Sequence, residues 1–177
     1  VLYCGDDPGR YYAILNLTGA ASGLIVSVLE FSNRSVTAVR VDASAANTIW
    51  VGASFGTTAA LVPMVVKYSN ANIGSPTAVV NTTIAAAAGA AISSIDVDPA
   101  NANNILVTLS NFGVVSVWES TNGGTSFTSV EGNLPDMPVR WGIFAPSNAQ
   151  LNGASGGNGG IILGTELGVW TTSQING

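Results

Sequence analysis

Apolar and polar residues alternate with a period of two along most of the chain, and clusters of Gly, Asn, Ser and Pro break the alternation at short intervals. Alternating β-branched and aromatic residues suit a pleated surface with one buried face, so each run predicts a strand and each break a turn. Fourteen runs are readable, near residues 1–4, 11–17, 24–31, 36–42, 48–53, 62–69, 77–84, 91–97, 104–110, 114–120, 126–130, 139–145, 160–165 and 168–173. Only Ala85 to Ala91 has the composition of a helix, but it contains Gly89 and is shorter than the ~12 residues an isolated helix needs. It is expected to turn the chain between two groups of strands, which makes the fold class all-β.

The order of these runs repeats. Four stretches end a strand, make a short polar turn and close on Gly: YCGDDPG (Tyr3 to Gly9), WVGASFG (Trp50 to Gly56), TLSNFG (Thr108 to Gly113) and ILGTELG (Ile162 to Gly168). The closing glycines are 47, 57 and 55 positions apart. An alternating strand that runs into an Ala, Pro, Ser and Asn turn precedes three of them: AVRVDASAAN from Ala38, SIDVDPANAN from Ser94 and WGIFAPSNAQ from Trp141. A third element follows: VVKYSNA from Val65, SVWESTNGG from Ser116 and GVWTTSQING from Gly168. Four short antiparallel strands recurring every ~40–50 residues are the unit of a β-propeller, whose blades bury their faces by stacking on one another. Tandem sandwiches fit the strands but not the repeated order. The expectation is a β-propeller fragment of about three and a half four-stranded blades, at approximately 1–33, 34–88, 89–135 and 136–177.

Composition narrows the function. Hydrophobic residues make up 47% of the chain and charged residues only 8%, where soluble proteins carry roughly 25% charge. Either Ser, Thr, Asn and Gly supply the polar surface, or part of the surface is covered by a partner against which charges are costly to desolvate. The net charge is −5 and the five basic residues, Arg10, Arg34, Arg40, Lys67 and Arg140, are scattered, which argues against nucleic acid. Histidine is absent and Cys4 is the single cysteine. That removes Ser-His and Cys-His nucleophiles, the commonest zinc ligand and any internal disulfide. No cofactor and no metal is expected. No apolar run reaches the ~18 residues that span a bilayer. The chain opens at Val1 with neither initiator Met nor a signal-like segment, so a processed product or fragment is expected.

The stretch STNGGTSF, Ser120 to Phe127, resembles an Asp box, the Ser/Thr-x-Asp-x-Gly turn followed by an aromatic residue that marks BNR, sialidase-like and sortilin-like propellers of secreted bacterial proteins. Ser120, Gly124 and Phe127 match, while Asn122 stands where Asp is usual; SNANIGS, Ser69 to Ser75, is a degenerate second copy. The resemblance implies that Ser120, Asn122, Gly124 and Phe127 form a structural hairpin turn on the rim of a blade, and that the protein is secreted or displayed on the cell surface. It also implies a whole ring of six to eight blades, which another polypeptide completes: the rest of a cleaved precursor or a second copy.

Candidate chemistry is sparse. Arg140 and Trp141 enter the innermost strand of the last blade and can stack on a sugar or pair with a carboxylate. Asp6 and Asp7 with Arg10, Tyr11 and Tyr12 form the densest polar and aromatic cluster, and an exposed turn explains it equally well. Asp42 and Asp98 recur at equivalent places, which fits turn capping; Asp96 and Asp98 together are thin for the six to eight oxygens of calcium. Glu166 reads as a turn residue, Trp118 and Trp170 as equivalent core residues, and the sequons at Asn16, Asn33 and Asn81 as chance. Three functions follow as expectations. The first is a non-catalytic binding or structural module of a larger extracellular assembly, with carbohydrate as a possible ligand. The second is a sialidase- or xyloglucanase-like glycoside hydrolase whose active site lies mostly elsewhere, and the third is a filament or sheath subunit.

Overall fold

The computed structural model describes residues 2–5, 10–14, 25–31, 33–55, 61–72, 76–86, 88–149, 151 and 159–173. Among these, fourteen strands and no helix occur, and each expected run carries one strand. They are β1 (Leu2–Gly5), β2 (Arg10–Ile14), β3 (Ile25–Glu30), β4 (Arg34–Val41), β5 (Ile49–Phe55), β6 (Met64–Ser69), β7 (Thr77–Thr83), β8 (Ile92–Val97), β9 (Ile105–Leu109), β10 (Val117–Ser120), β11 (Thr128–Ser129), β12 (Val139–Ala145), β13 (Gly160–Thr165) and β14 (Gly168–Thr172). Within each sheet, strands consecutive in sequence pair antiparallel. The result is four sheets: β1-β2-β3, β4-β5-β6-β7, β8-β9-β10-β11 and β12-β13-β14. The described part of the Ala-rich run is a turn between the second and third sheets, with Gly89 at positive φ.

The sheets stack face to face. β4 packs on β1 and β2, β8 on β4 and β5, and β12 on β8 and β9, so the first strands β4, β8 and β12 touch in succession. One apolar layer fills each gap. Tyr3 and Phe31 meet Ile49, Val51, Val66 and Tyr68 in the first. Trp50 and Val65 meet Ile92, Ile95, Val107 and Trp118 in the second, and Leu106 and Val117 meet Val139, Phe144, Ile161 and Leu163 in the third. Strand alternation sends neighbours to opposite layers, Val107 toward the second sheet and Leu106 toward the fourth, which is why every residue of β9 is buried.

The first strands share a further device. Each has a β-bulge at the same place in its register, between Val36 and Ala38, Ile92 and Ser94, and Val139 and Trp141. A bulge adds an unpaired residue and sharpens local twist. Thr37, Ser93 and Arg140 are the added residues.

Strand register relates β5 to β9 by 56 positions, since Val51 faces Val39 as Val107 faces Ile95; Gly56, the closing glycine of the second stretch, lies outside the described residues. One sequence expectation needs correction, that for Trp170. Trp118 is buried, but Trp170, its register equivalent, is 40% exposed. Trp118 lies between β9 and β11 with Phe127 against it, whereas β14 is the outer strand of its sheet among the described residues.

A β-carbon at Gly52 would lie 2.8 Å from Ile92 Cγ2 and 3.2 Å from Ile95 Cδ1, inside the packed second layer. Gly52→Val is therefore expected to destabilise the chain by about 1–3 kcal/mol through overpacking. Equilibrium urea unfolding measures it, and an unchanged midpoint would contradict this packing.

Candidate functional site

The bulges and turns gather most of the charged and polar side chains of the inner strands. Asp96, on β8, is buried between the first strands of three sheets. Its Oδ2 accepts the backbone N–H of Phe144 on β12 at 2.8 Å, and its Oδ1 forms an ion pair with Arg40 Nη2 on β4 at 2.6 Å. Burial pushes the Asp96 carboxyl above the usual range, against the opposing pull of the Phe144 N–H and the Arg40 charge. Beside it, Ser93 Oγ donates to Val139 O at 2.6 Å and Ser94 Oγ accepts the Gly142 N–H at 2.9 Å. Ser54 Oγ accepts the Ile92 N–H at 2.7 Å. Backbone groups around the bulges of β8 and β12 are thus taken up by the neighbouring sheet.

A cleft of about 450 Å³ opens over this row, lined by Arg40, Ser44, Asp96, Asp98, Ile143 and Phe144 among others. Asp98 and Phe144 also border a second recess of about 240 Å³ toward Asn104 and Gly160. Asp98 caps its own turn: Oδ1 accepts Ala100 N–H at 2.8 Å and Oδ2 accepts Asn104 Nδ2 at 3.1 Å. Three of the four carboxylate oxygens accept hydrogen bonds from the protein, and buried Asp96 Oδ1 has the Arg40 charge against it but accepts no hydrogen bond. The cleft offers a half-exposed guanidinium, one hydroxyl and an apolar wall, which can seat a small polar ligand. No group of three or more acidic, His or Cys residues fit to hold a metal occurs among the described residues.

Asp42 holds the corresponding turn of the second sheet. Its Oδ1 accepts Ser44 N–H at 3.0 Å and Ser44 Oγ–H at 2.5 Å, and its Oδ2 accepts Trp50 Nε1–H at 3.2 Å. Lys67 Nζ lies 3.1 Å from the same oxygen and 4.9 Å from the centre of the Trp50 ring. Burial alone would raise the Asp42 carboxyl, but Ser44 and Lys67 together hold it below the usual range.

The structure separates the other candidates. Arg140 and Trp141 are adjacent at the third bulge but diverge. Arg140 pairs with Glu166, an exposed surface pair, while Trp141 lies 55% exposed on the outer face of the last sheet. Asp6 and Asp7 lie outside the described residues; Arg10 begins β2, opposite Glu30, and its side chain and those of Tyr11 and Tyr12 are outside what is described. The turn from Ser120 is closed by its own residues. Ser120 Oγ accepts Gly124 N–H at 2.8 Å and Asn122 N–H at 3.3 Å, and donates to Asn122 Oδ1 at 2.9 Å, which also accepts Ser126 N–H at 3.0 Å. Gly124, at φ 85°, lies so close to Trp50 that a β-carbon would be 2.7 Å from the ring. Thr82 of the second sheet donates to its carbonyl at 2.7 Å, and Phe127 packs into the second layer. Sequence reasoning missed Arg40 and the serines at 54, 93 and 94, whose shared role is a place in the register that no local motif marks.

The fold and site define a fan of antiparallel sheets converging at their first strands, a β-propeller-like all-β arrangement. No family profile and no curated protein matches the chain. Among solved structures it is similar to an ancestral GH74 enzyme, with a TM-score of 0.50 and 18% identity over 96% of this chain. The chain spans about a quarter of that protein, covering 25% of it. This likeness supports the propeller-like fold.

Replacing Asp96 by Ala leaves the Phe144 N–H without its acceptor in a buried position. The expected loss is about 1–3 kcal/mol, with Asp96→Asn, which keeps an acceptor oxygen, losing less; urea unfolding of the two variants tests the order. For Asp42 the sign runs the other way from Asp96. Its folded pKa is below the unfolded value of 3.8, so its ionised form stabilises the fold above that value and loses the contribution as pH falls through the folded pKa. Asp42→Asn is expected to lower the urea midpoint near neutral pH, with the gap to the unmodified protein closing below pH 3.8. A gap that is constant with pH would refute the role of the ionised carboxylate.

Proposed function

We propose that the chain is a non-catalytic binding or structural module: a run of stacked blades within a propeller-like ring of a secreted or cell-surface protein. The blades lie at approximately 1–33, 34–88, 89–135 and 136–177, and another polypeptide, the rest of a precursor or a second copy, completes the ring. The observation that carries the reading is at the inner cleft, where three oxygens of Asp96 and Asp98 accept hydrogen bonds from Phe144, Ala100 and Asn104 and the fourth is held in an ion pair with Arg40. A hydrolytic pair needs carboxylates free to face a sugar, about 5–10 Å apart with one available as acid and one as base or nucleophile. The Ser120–Phe127 turn acts as an Asp-box rim turn, joining the third sheet to the second through Thr82 and Trp50. The low charge suits a body whose sheets are covered by one another and by partners.

The likeness to an ancestral GH74 enzyme keeps a glycoside hydrolase as the rival reading. A reducing-sugar assay with xyloglucan, paired with a sialic-acid release assay, decides between them. No release is expected even from the assembly in which another polypeptide completes the ring, and release there that disappears in Asp96→Asn or Asp98→Asn would replace the module with the enzyme.

A further inference from the structure

The three layers between sheets obey one rule of size. Gly52 on β5 and Thr108 on β9 hold the same register place, opposite the residue that follows each bulge, Ala38 and Ser94. Gly164 on β13 holds it in the last sheet, opposite Trp141. Gly5 on β1 takes this place against the second sheet: it abuts Val36, as Gly52 abuts Ile92, and Val36 and Ile92 both precede the bulge. A β-carbon at Gly5 would be 2.6 Å from Val36 Cβ, and one at Gly52 would be 2.8 Å from Ile92 Cγ2. In the third layer the sizes are exchanged. Thr108 fills the second-strand place, and the incoming strand answers with Gly142, where a β-carbon would be 2.7 Å from Thr108 Cγ2. Each gap holds one missing side chain and one branched side chain to fill it.

Gly164 repeats the missing half without the other. The nearest atoms to a β-carbon there belong to Trp141 of its own sheet, at 3.7 and 3.9 Å. Across the three strands Trp141, Gly164 and Val169 form a row on the outer face, with Trp141 55% and Val169 74% exposed and Ile162 two residues away on the same side. The same face of the second sheet, with Trp50 and Gly52, is covered by β8.

We infer that the outer face of β12-β13-β14 is the seat of a further four-stranded sheet, whose first strand sets a branched aliphatic side chain over Gly164 as Ile92 is set over Gly52. The inference rests on the stacked-blade reading above and names the partner's chemistry. A second copy of this chain fits less well, because β1 occupies the second-strand place, and no described strand of the first sheet stands where Val36 and Ile92 stand.

The chain contains its own probe, since Val36 already covers a glycine equivalent to Gly164. The test appends a second copy of residues 33–88, with the copied Trp50 replaced by Phe, after residue 177 in a Trp170→Phe background, which leaves Trp141 as the exposed tryptophan. Acrylamide quenching of Trp141 is expected to be strong in the unextended chain and largely lost in the extended one. Gly164→Phe should restore quenching in the extended chain while leaving the unextended chain folded, because the position is open. Trp141 that stays quenchable while circular dichroism records the added strands overturns the inference, as does an appended sheet that remains unstructured. Concentration-dependent protection of Trp141 in the unextended chain also overturns it, in favour of a second copy. None of these readouts depends on sugar release, so the failure of this inference and the failure of the module reading are distinct results.

Discussion

A sheet of three or four short strands has two faces and almost no interior, so its apolar face is dry only when another sheet lies against it. Everything else in this structure follows from that requirement. The second and third sheets are covered on both sides, and their central strands lose the usual alternation of buried and exposed positions. Ile49 to Ser54 and Ile105 to Leu109 are buried without interruption. A chain organised this way needs more apolar residues and fewer charges than a domain with one core, which accounts for 47% hydrophobic and 8% charged residues without invoking a membrane.

Apolar layers alone do not fix how far one sheet slides over the next. The buried polar groups do, because each has a partner on a different sheet. Asp96 joins β4 and β12 to β8, Ser54 holds the Ile92 N–H, and Ser94 holds the Gly142 N–H. A slip of one residue would leave each of these groups buried and unpaired, at a cost of about 1–3 kcal/mol apiece. The two aspartates nearest this row respond to acid in opposite directions. Asp42, held ionised by Ser44 and Lys67, loses its contribution as pH falls, while the raised carboxyl of Asp96 takes up its proton more readily in the folded chain than in the unfolded one. As pH falls, Asp96 is therefore protonated before Asp42, which relieves the cost of its buried charge, whereas the contribution of Asp42 is lost only below the ordinary value of 3.8.

The strands were legible because turn chemistry and period-two alternation are local properties, and all fourteen runs carry strands. The repeat order was legible too, and the described strands keep a register offset of 56 between the second and third sheets. Burial of Trp170 was misjudged because an equivalent place in the register does not bring an equivalent neighbour. The candidate site was the least legible part. Arg140 and Trp141 stood out as residue types, yet one pairs with Glu166 on the surface and the other lies on an open face. Asp96 was noticed as a carboxylate, but Arg40 beside it in the cleft and Ser93 and Ser94 on the adjoining bulge are brought to it by sheet stacking, which leaves no mark in a stretch of sequence shorter than a whole blade.

The same reasoning explains why the internal repeat is faint. What each layer conserves is a volume shared between two strands: glycine against isoleucine in one gap, threonine against glycine in another. Either partner can change if the other compensates, so the residue at a given place need not recur even though the packing does. Close packing tolerates such exchanges when the total volume is kept, and penalises a change on one side alone. A repeat defined by sums across a gap fades from residue-by-residue comparison long before it fades from the structure. Gly164 therefore has a meaning that its own sheet does not supply: its small size is one half of a sum whose other half stands across the gap.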